Sequence, residues 1–263
     1  MTTSHPTAPA QDAGLWQDAY LDQFPMDPNA MVAHLDARRQ ELLYAYIAET
    51  AHSVEVADAL ADVVREHPDA LRVKETFETL EAHKRIGQEV YEQYRLGRVA
   101  WIYDLACGHG LLGVLLANRF PRVRVVCVDR ERRPAFEHYL AAARRHGMPL
   151  ANITFVEGDL RRVAIEPRAY VICVHGCNEA TRDALRLARA AGACFAAMPC
   201  CIRDGLFLRR VAHVDDATRY AVASGVIAGF YRADKVTAID ARITNRNLIV
   251  IGGPAAFGVA DAS

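Results

Sequence analysis

The stretch "DLACGHGLLG" at 104–113 places Gly108, Gly110 and Gly113 in the spacing G-x-G-x-x-G, with Asp104 four positions ahead of the first glycine. An apolar run precedes it and a helical pattern follows. Glycines let a backbone approach a ligand closely and accept positive φ. The helix behind such a loop offers unpaired N–H groups and the positive end of its dipole. Asp129 ends the next apolar run, 21 residues after Gly108, where an acid can hold a ribose diol. Asp159, in "VEGDL", follows a third run. Taken singly, a glycine-rich turn is only a turn, and Asp129 or Asp159 only a helix cap. Three acids and two glycines at successive strand ends together point to a nucleoside-bearing ligand.

A second cluster follows. "VHGCNEATRDAL" and "MPCCI" carry His175, Cys177, Cys200 and Cys201, while Cys107 and His109 lie inside the glycine loop. An imidazole titrates near neutrality and can act as a base, so His175 is the first candidate for catalysis, with Cys177 a weaker neighbour. A hydrogen-bonded structural histidine closing the strand is the competing reading of His175. Thiolates with an imidazole also suit zinc or copper(I). No C-x-x-C pair with a partner pair is present, and the adjacent Cys200 and Cys201 are poorly spaced to chelate one ion, so no metal is expected. Cys127, Cys173 and Cys194 fall inside apolar runs and read as core packing.

These residues need a scaffold that brings strand ends together. The first hundred residues carry apolar positions at three- and four-residue intervals over 29–50, 53–67 and 75–97, the last ending at Gly97. Beyond Gly97, short apolar runs alternate with helical segments: "VAWIYDLA", "RVRVVCVD", "ITFVEGDL", "AYVICVH" and "ACFAAMP" are the runs. Such alternation predicts a parallel sheet with helices on both faces. After a helix over 215–234, "KVTAIDARI" and "NLIVIGG" are separated only by "TNR", which predicts a hairpin and one antiparallel strand. The expected fold is α/β, a doubly wound seven-stranded sheet, mostly parallel with a C-terminal antiparallel hairpin, plus a helical N-terminal addition. Residues 1–14 read as a disordered tail, 15–97 as the helical cover and 98–263 as the α/β domain. In the cover, Lys84, Arg85, Tyr91 and Tyr94 read as a solvated face with aromatic core contacts.

Five parallel strands with a terminal hairpin resemble the class I S-adenosylmethionine-dependent methyltransferases. An NAD-binding Rossmann domain would explain the glycines and Asp129 equally well. It does not need Asp104, whereas "D-x-x-x-G-x-G" resembles the first methyltransferase motif, in which that acid lies near the charged methionyl end of the cofactor. The resemblance implies that Asp104, Ala106, Gly108 and Gly110 bind the cofactor, that Asp129 and Arg130 serve the ribose, and that Asp159 and Leu160 serve the adenine. A narrower resemblance covers about residues 80–253. The methyltransferase-domain family that includes tRNA 2′-O-methyltransferases has "H-x-C-G-x-x-T-D" after strand four, and related members have "P-C-C" after strand five and "I-T-x-x-N" before the last strand. This chain has His175, Cys177 and Thr181; Pro199, Cys200 and Cys201; and Ile243, Thr244 and Asn247. Asn178 stands for the glycine and Arg182 for the aspartate, departures that weaken the implication of a shared substrate and leave that of a shared fold and cofactor.

Composition limits the partners. The chain has 263 residues, is 52% hydrophobic and carries a formal net charge of −1, so no global positive field draws it to nucleic acid or anionic membrane. "RERR" at 130–133 and the pairs Arg144-Arg145 and Arg161-Arg162 read as solvated faces. With no membrane-length apolar stretch, no apolar leader and an odd count of seven cysteines, the expectation is a cytoplasmic protein with reduced thiols. A small-molecule acceptor is favoured by a compact chain with a helical cover. RNA is the alternative, supported by the resemblance and by the local arginines.

Overall fold

The computed structural model describes residues 21–203, 205–207 and 214–254. The tail expected at 1–14 lies outside the described residues. Three helices come first: α1 (Ala37–Thr50), α2 (Val54–Glu66) and α3 (Val73–Arg95). Asp36 and Ser53 cap α1 and α2 by accepting from the N–H groups of Arg39 and Val56. The alternating part then runs β1 (Trp101–Leu105), α4 (Leu111–Arg119), β2 (Arg124–Asp129), α5 (Pro134–Arg145), β3 (Ile153–Glu157), β4 (Ala169–Val174), α6 (Glu179–Ala190) and β5 (Cys194–Met198). Helix α7 (Asp216–Phe230) leads to β6 (Lys235–Ala238) and β7 (Leu248–Gly252).

The sheet order is β3-β2-β1-β4-β5-β7-β6. The first five strands are parallel, and β7 lies antiparallel to both β5 and β6. The chain therefore starts at the middle of the sheet, winds outward to β3, then returns to build the other half from β4. Register aligns Asp129 with Glu157 and Val174 with Met198, so the carboxyl ends of neighbouring strands form one rim. Ligands of open α/β sheets bind at that rim, where the strand order reverses.

The period-two alternation of strands sorts the core into two layers. Ile102, Val125, Cys127, Ile172 and Met198 face the layer that also holds Leu43, Phe77 and Leu115. Tyr103, Val126, Val171 and Phe195 face the layer of Leu185 and Ile227. Strands buried on both faces explain why their sequences read as unbroken apolar runs. Because the N-terminal helices share the first layer with β1, α4 and α5, residue 97 divides two kinds of element but not two cores. No helix among the described residues is long and apolar enough to cross a membrane.

The hairpin departs from expectation. Strand β6 stops at Ala238 rather than running to residue 243, and the link to β7 spans 239–247. Asp240 accepts the Arg242 N–H at 2.8 Å and pairs with its guanidinium, a local turn that competes with the ladder. Ile239 and Ile243 are buried by that turn, and Asn247 Nδ2 donates to the Ile239 carbonyl at 3.0 Å.

The loop after β1 ends at Gly110, the N-cap of α4, in the left-handed region at φ 75°. A Cβ there would meet Phe136 Cδ2 at 2.4 Å. Gly110→Ala combines overpacking with a disfavoured backbone, and a loss of roughly 2–4 kcal/mol in stability is expected by chemical denaturation.

Candidate active site at the carboxyl rim

Each strand end on the rim delivers one piece of the site. Asp104, in the last turn of β1, is 2% exposed and points into the layer under α4. The Gly113 N–H hydrogen-bonds to its carboxyl group, but its Oδ2 has no partner among the described residues. Burial, with a further push from Asp129, raises its pKa to about 7. At Gly113 a Cβ would meet Cys127 Sγ at 2.2 Å, which explains the third glycine as packing against β2.

Asp129, at the end of β2, reaches across to the glycine loop. Its Oδ2 accepts the Gly108 N–H at 2.7 Å and its Oδ1 accepts the Arg130 N–H at 2.7 Å. Asp129 thus fixes the loop as well as facing the rim. A Cβ on Gly108 would meet nothing within 4 Å, so this glycine borders open space, whereas Gly110 is turned to Phe136. Asp159 caps the 3-10 turn Leu160–Arg162 and grips the Arg161 side chain, with its carboxylate held well below the usual range by that partner.

Two adjoining cavities occupy the rim. The larger, of about 710 Å³, is bounded by Asp104, Gly108, His109, Glu78, His175 and the thiols of the β4 and β5 loops. The second, of about 530 Å³, runs along Arg130, Asp159, Leu160 and Arg161. Ala106, Asp129, Cys177 and Asn178 border both. The three strand-end acids therefore do not share one chamber: Asp104 borders the first, Asp159 the second, and Asp129 stands between them. Of the residues expected to bind a cofactor, Gly110 alone lines neither.

The β4 loop is held in tension. His175 and Asn178 adopt φ of 56° and 51°, and Ala106 one of 59°. Non-glycine residues in this region each cost roughly 1–3 kcal/mol, a cost retained where surroundings over-determine the geometry. Here the His175 N–H donates to the Met198 carbonyl at 2.9 Å and the Asn178 N–H to the Cys201 carbonyl at 2.8 Å. Thr181 donates to the Gly176 carbonyl, which gives the threonine of the "H-x-C" string a structural task. A Cβ on Gly176 would meet Cys173 Sγ at 2.2 Å.

His175 does not stand alone. Its Nε2 lies 3.1 Å from Glu78 Oε2 of α3, and Glu78 is also 3.7 Å from Lys74 Nζ. The Glu78 side chain is only 6% exposed. One turn earlier on α3, Glu75 Oε2 stands 3.8 Å from His109 Nε2, whose Nδ1 accepts the Leu111 N–H. Burial pushes His109 toward its neutral form, with Glu75 partly offsetting that. Sequence reasoning missed Glu75 and Glu78, although acids spaced among the buried Phe77 and Leu80 were a signal. Lys84 instead pairs with Glu81, Arg85 borders a separate cleft, and Tyr94 packs on Phe120.

The loops after β4 and β5 bring three thiols together. Cys177 Sγ and Cys200 Sγ are 3.2 Å apart, and the sulfurs of Cys177, Cys200 and Cys201 all lie within 4.8 Å of one another. Hydrogen bonding from Cys200 lowers the Cys177 thiol to about 6 and raises Cys200 in turn. The loop after β5 brings the sulfurs of both adjacent cysteines, Cys200 and Cys201, near that of Cys177. By contrast Cys127, Cys173 and Cys194 are buried.

No curated protein matches the chain. Among solved structures it is similar in trace to an RNA methyltransferase from Salinibacter ruber in complex with S-adenosyl-L-homocysteine, at 13% identity over 63% of this chain and 89% of that one, with a TM-score of 0.39. It is also similar to the mitomycin 7-O-methyltransferase MmcR, at 15% identity over 89% of this chain and 70% of that one, TM-score 0.41. A fibrillarin/Nop5p complex gives 10% identity over 59% and 73%, TM-score 0.43. The model of a family described as a methyltransferase domain matches residues 71–204, a stretch from the start of α3 past the thiol loop, and the chain belongs to that family.

Proposed function

We propose that the protein is an S-adenosylmethionine-dependent methyltransferase acting on a small molecule. The observation that carries the cofactor assignment is Asp104. Asp104 is buried, keeps an Oδ2 without a partner among the described residues and borders the larger cavity, and a buried carboxyl group of this kind favours a cationic donor. The ammonium of adenosylmethionine is such a donor, whereas the diphosphate of NAD would set anion against anion. Asp129 would accept from the ribose hydroxyls, beside the open backbone at Gly108 and with Ala106 and Arg130 flanking it. Asp159 and Leu160, along the second cavity, would border the adenine. Bound across both cavities, the cofactor supplies a methyl group on a sulfonium sulfur.

The chain's own contribution is placement and proton removal. His175 lines the larger cavity and is suited to take a proton from the acceptor; its Nε2 makes no hydrogen bond among the described residues but lies 3.1 Å from Glu78 Oε2, whose charge would offset that of the imidazolium. Cys177, beside it, borders both cavities. A cavity of about 710 Å³ is of the size that encloses small ligands. Three of the four arginines that line it are ion-paired, Arg72 with Glu75, Arg203 with Glu179 and Arg246 with Asp216, which leaves Arg133 and no continuous phosphate-binding face. That pairing favours a metabolite over RNA.

Transfer of labelled methyl from adenosylmethionine into fractionated cell extract tests the reading. Label is expected in the small-molecule fraction; label confined to RNA, with binding that weakens steeply as salt rises, would overturn it. Asp129→Ala is expected to weaken adenosylmethionine by roughly 1–3 kcal/mol in calorimetry, through lost ribose contacts and a loosened glycine loop.

A further inference from the structure

The three thiols at the ends of β4 and β5 have no task in the reading above, and their arrangement is specific. Cys177 arrives on the strained β4 loop, which is tied to the β5 loop by the Asn178 N–H to the Cys201 carbonyl at 2.8 Å. Cys200 follows Pro199 and approaches the His175 carbonyl at 3.5 Å. Two loops from neighbouring strands are thus stitched so that three sulfurs converge on one point.

We propose that Cys177, Cys200 and Cys201 bind a thiophilic d10 cation, zinc, as a three-thiolate centre on the wall of the larger cavity. Zinc–sulfur bonds of about 2.3 Å in a tetrahedron place the sulfurs roughly 3.8 Å apart. The Cys177–Cys200 separation of 3.2 Å, and the limit of 4.8 Å that no pair exceeds, are compatible with that value. Small side-chain rotations about a shared centre close the site. Three soft anionic donors select zinc over magnesium or calcium, which need oxygen ligands. Three protein ligands also leave one tetrahedral position unfilled, the pattern of metal sites that do chemistry rather than hold a fold. All three cysteines line the cavity that also holds His175 and Asp104, so the unfilled position opens on the space assigned to the methyl acceptor.

This site rests on residues separate from Asp104, Asp129 and Asp159, so it stands or falls apart from cofactor binding. The test is titration of the full-length, reduced, metal-stripped protein with cobalt(II), a spectroscopic substitute for zinc. One equivalent is expected to bind with intense thiolate-to-cobalt charge-transfer absorption and to be displaced by zinc. Cys177→Ser, Cys200→Ser and Cys201→Ser are each expected to weaken cobalt by more than roughly a hundredfold, beyond the 10–100-fold typical of residues that only support a ligand. Circular dichroism checks that each variant folds, and the triple Cys→Ser variant removes any remaining thiolate signal. Absence of charge-transfer absorption in the parent protein would overturn the proposal. So would the same absorption in the triple variant, because the ion would then sit on other thiols. Calorimetry with adenosylhomocysteine on the same samples separates failure of this site from failure of the methyltransferase reading.

Discussion

Asp104→Asn is expected to stabilise the free protein at pH 8 while removing most of its affinity for adenosylmethionine. Both effects follow from one buried carboxyl group. Burial raises its pKa from 3.8 to about 7, so the folded state holds this proton more tightly than the unfolded chain does. For a group raised in this way, the contribution to stability falls as pH rises from about 4 to about 7, and the full cost is present above that window. At pH 8 the folded protein therefore carries a poorly solvated charge. The asparagine retains an acceptor for the Gly113 N–H without that charge. The gain is expected to be roughly 2–4 kcal/mol in denaturant unfolding at pH 8 and to vanish near pH 4. In the complex the same charge is an asset. Loss of a buried partner for the ligand ammonium should cost roughly 2–4 kcal/mol, or about 30- to 1000-fold in affinity. Below pH 7 the parent protein must release the Asp104 proton to bind. Its affinity should then fall by up to about tenfold per pH unit, and the calorimetric enthalpy should depend on buffer ionisation. A variant with lower stability at pH 8 and unchanged affinity would show that Asp104 is a structural hydrogen-bonding residue.

The second large effect concerns His175 and Glu78. His175→Ala should lower kcat by roughly 100- to 10,000-fold with adenosylhomocysteine affinity nearly unchanged, as removal of a general base does. Glu78→Gln should act in the same direction by a smaller factor, because the ring remains while the charge that offsets the imidazolium is gone. Added imidazole should restore part of the activity of His175→Ala. A structural role predicts otherwise: thermal stability and activity would fall together, and imidazole would restore nothing.

The rim itself was legible because parallel strands buried on both faces leave unbroken apolar runs in the sequence, with their polar ends in plain view. Asp129 closes such a strand and Asp104 lies one residue before the end of another, while Asp159 follows the half-exposed edge strand β3; the glycine loop lies where the chain first leaves the sheet. Glu78 was hidden for the opposite reason. On a helix, an acid facing a cavity and an acid facing water read alike, and only the docking of α3 against α4 separates them. What the spacing of Gly110 could not reveal is that the ring of Phe136 fills the place a side chain would take there. The hairpin was shortened by a local Asp240–Arg242 turn whose side-chain bonds outcompete two strand-like residues on either side. The convergence of Cys177 with Cys200 and Cys201 depends on β4 and β5 being neighbours and on a loop conformation that the adjacency of two cysteines does not reveal.

The central claim is that the carboxyl rim holds an adenosyl ligand with a cationic amino-acid end. Calorimetry of the parent protein with adenosylmethionine, adenosylhomocysteine and NAD tests it most directly. Both sulfur ligands are expected to bind at one per chain, and NAD not to bind. Tight NAD binding with neither sulfur ligand would contradict the account.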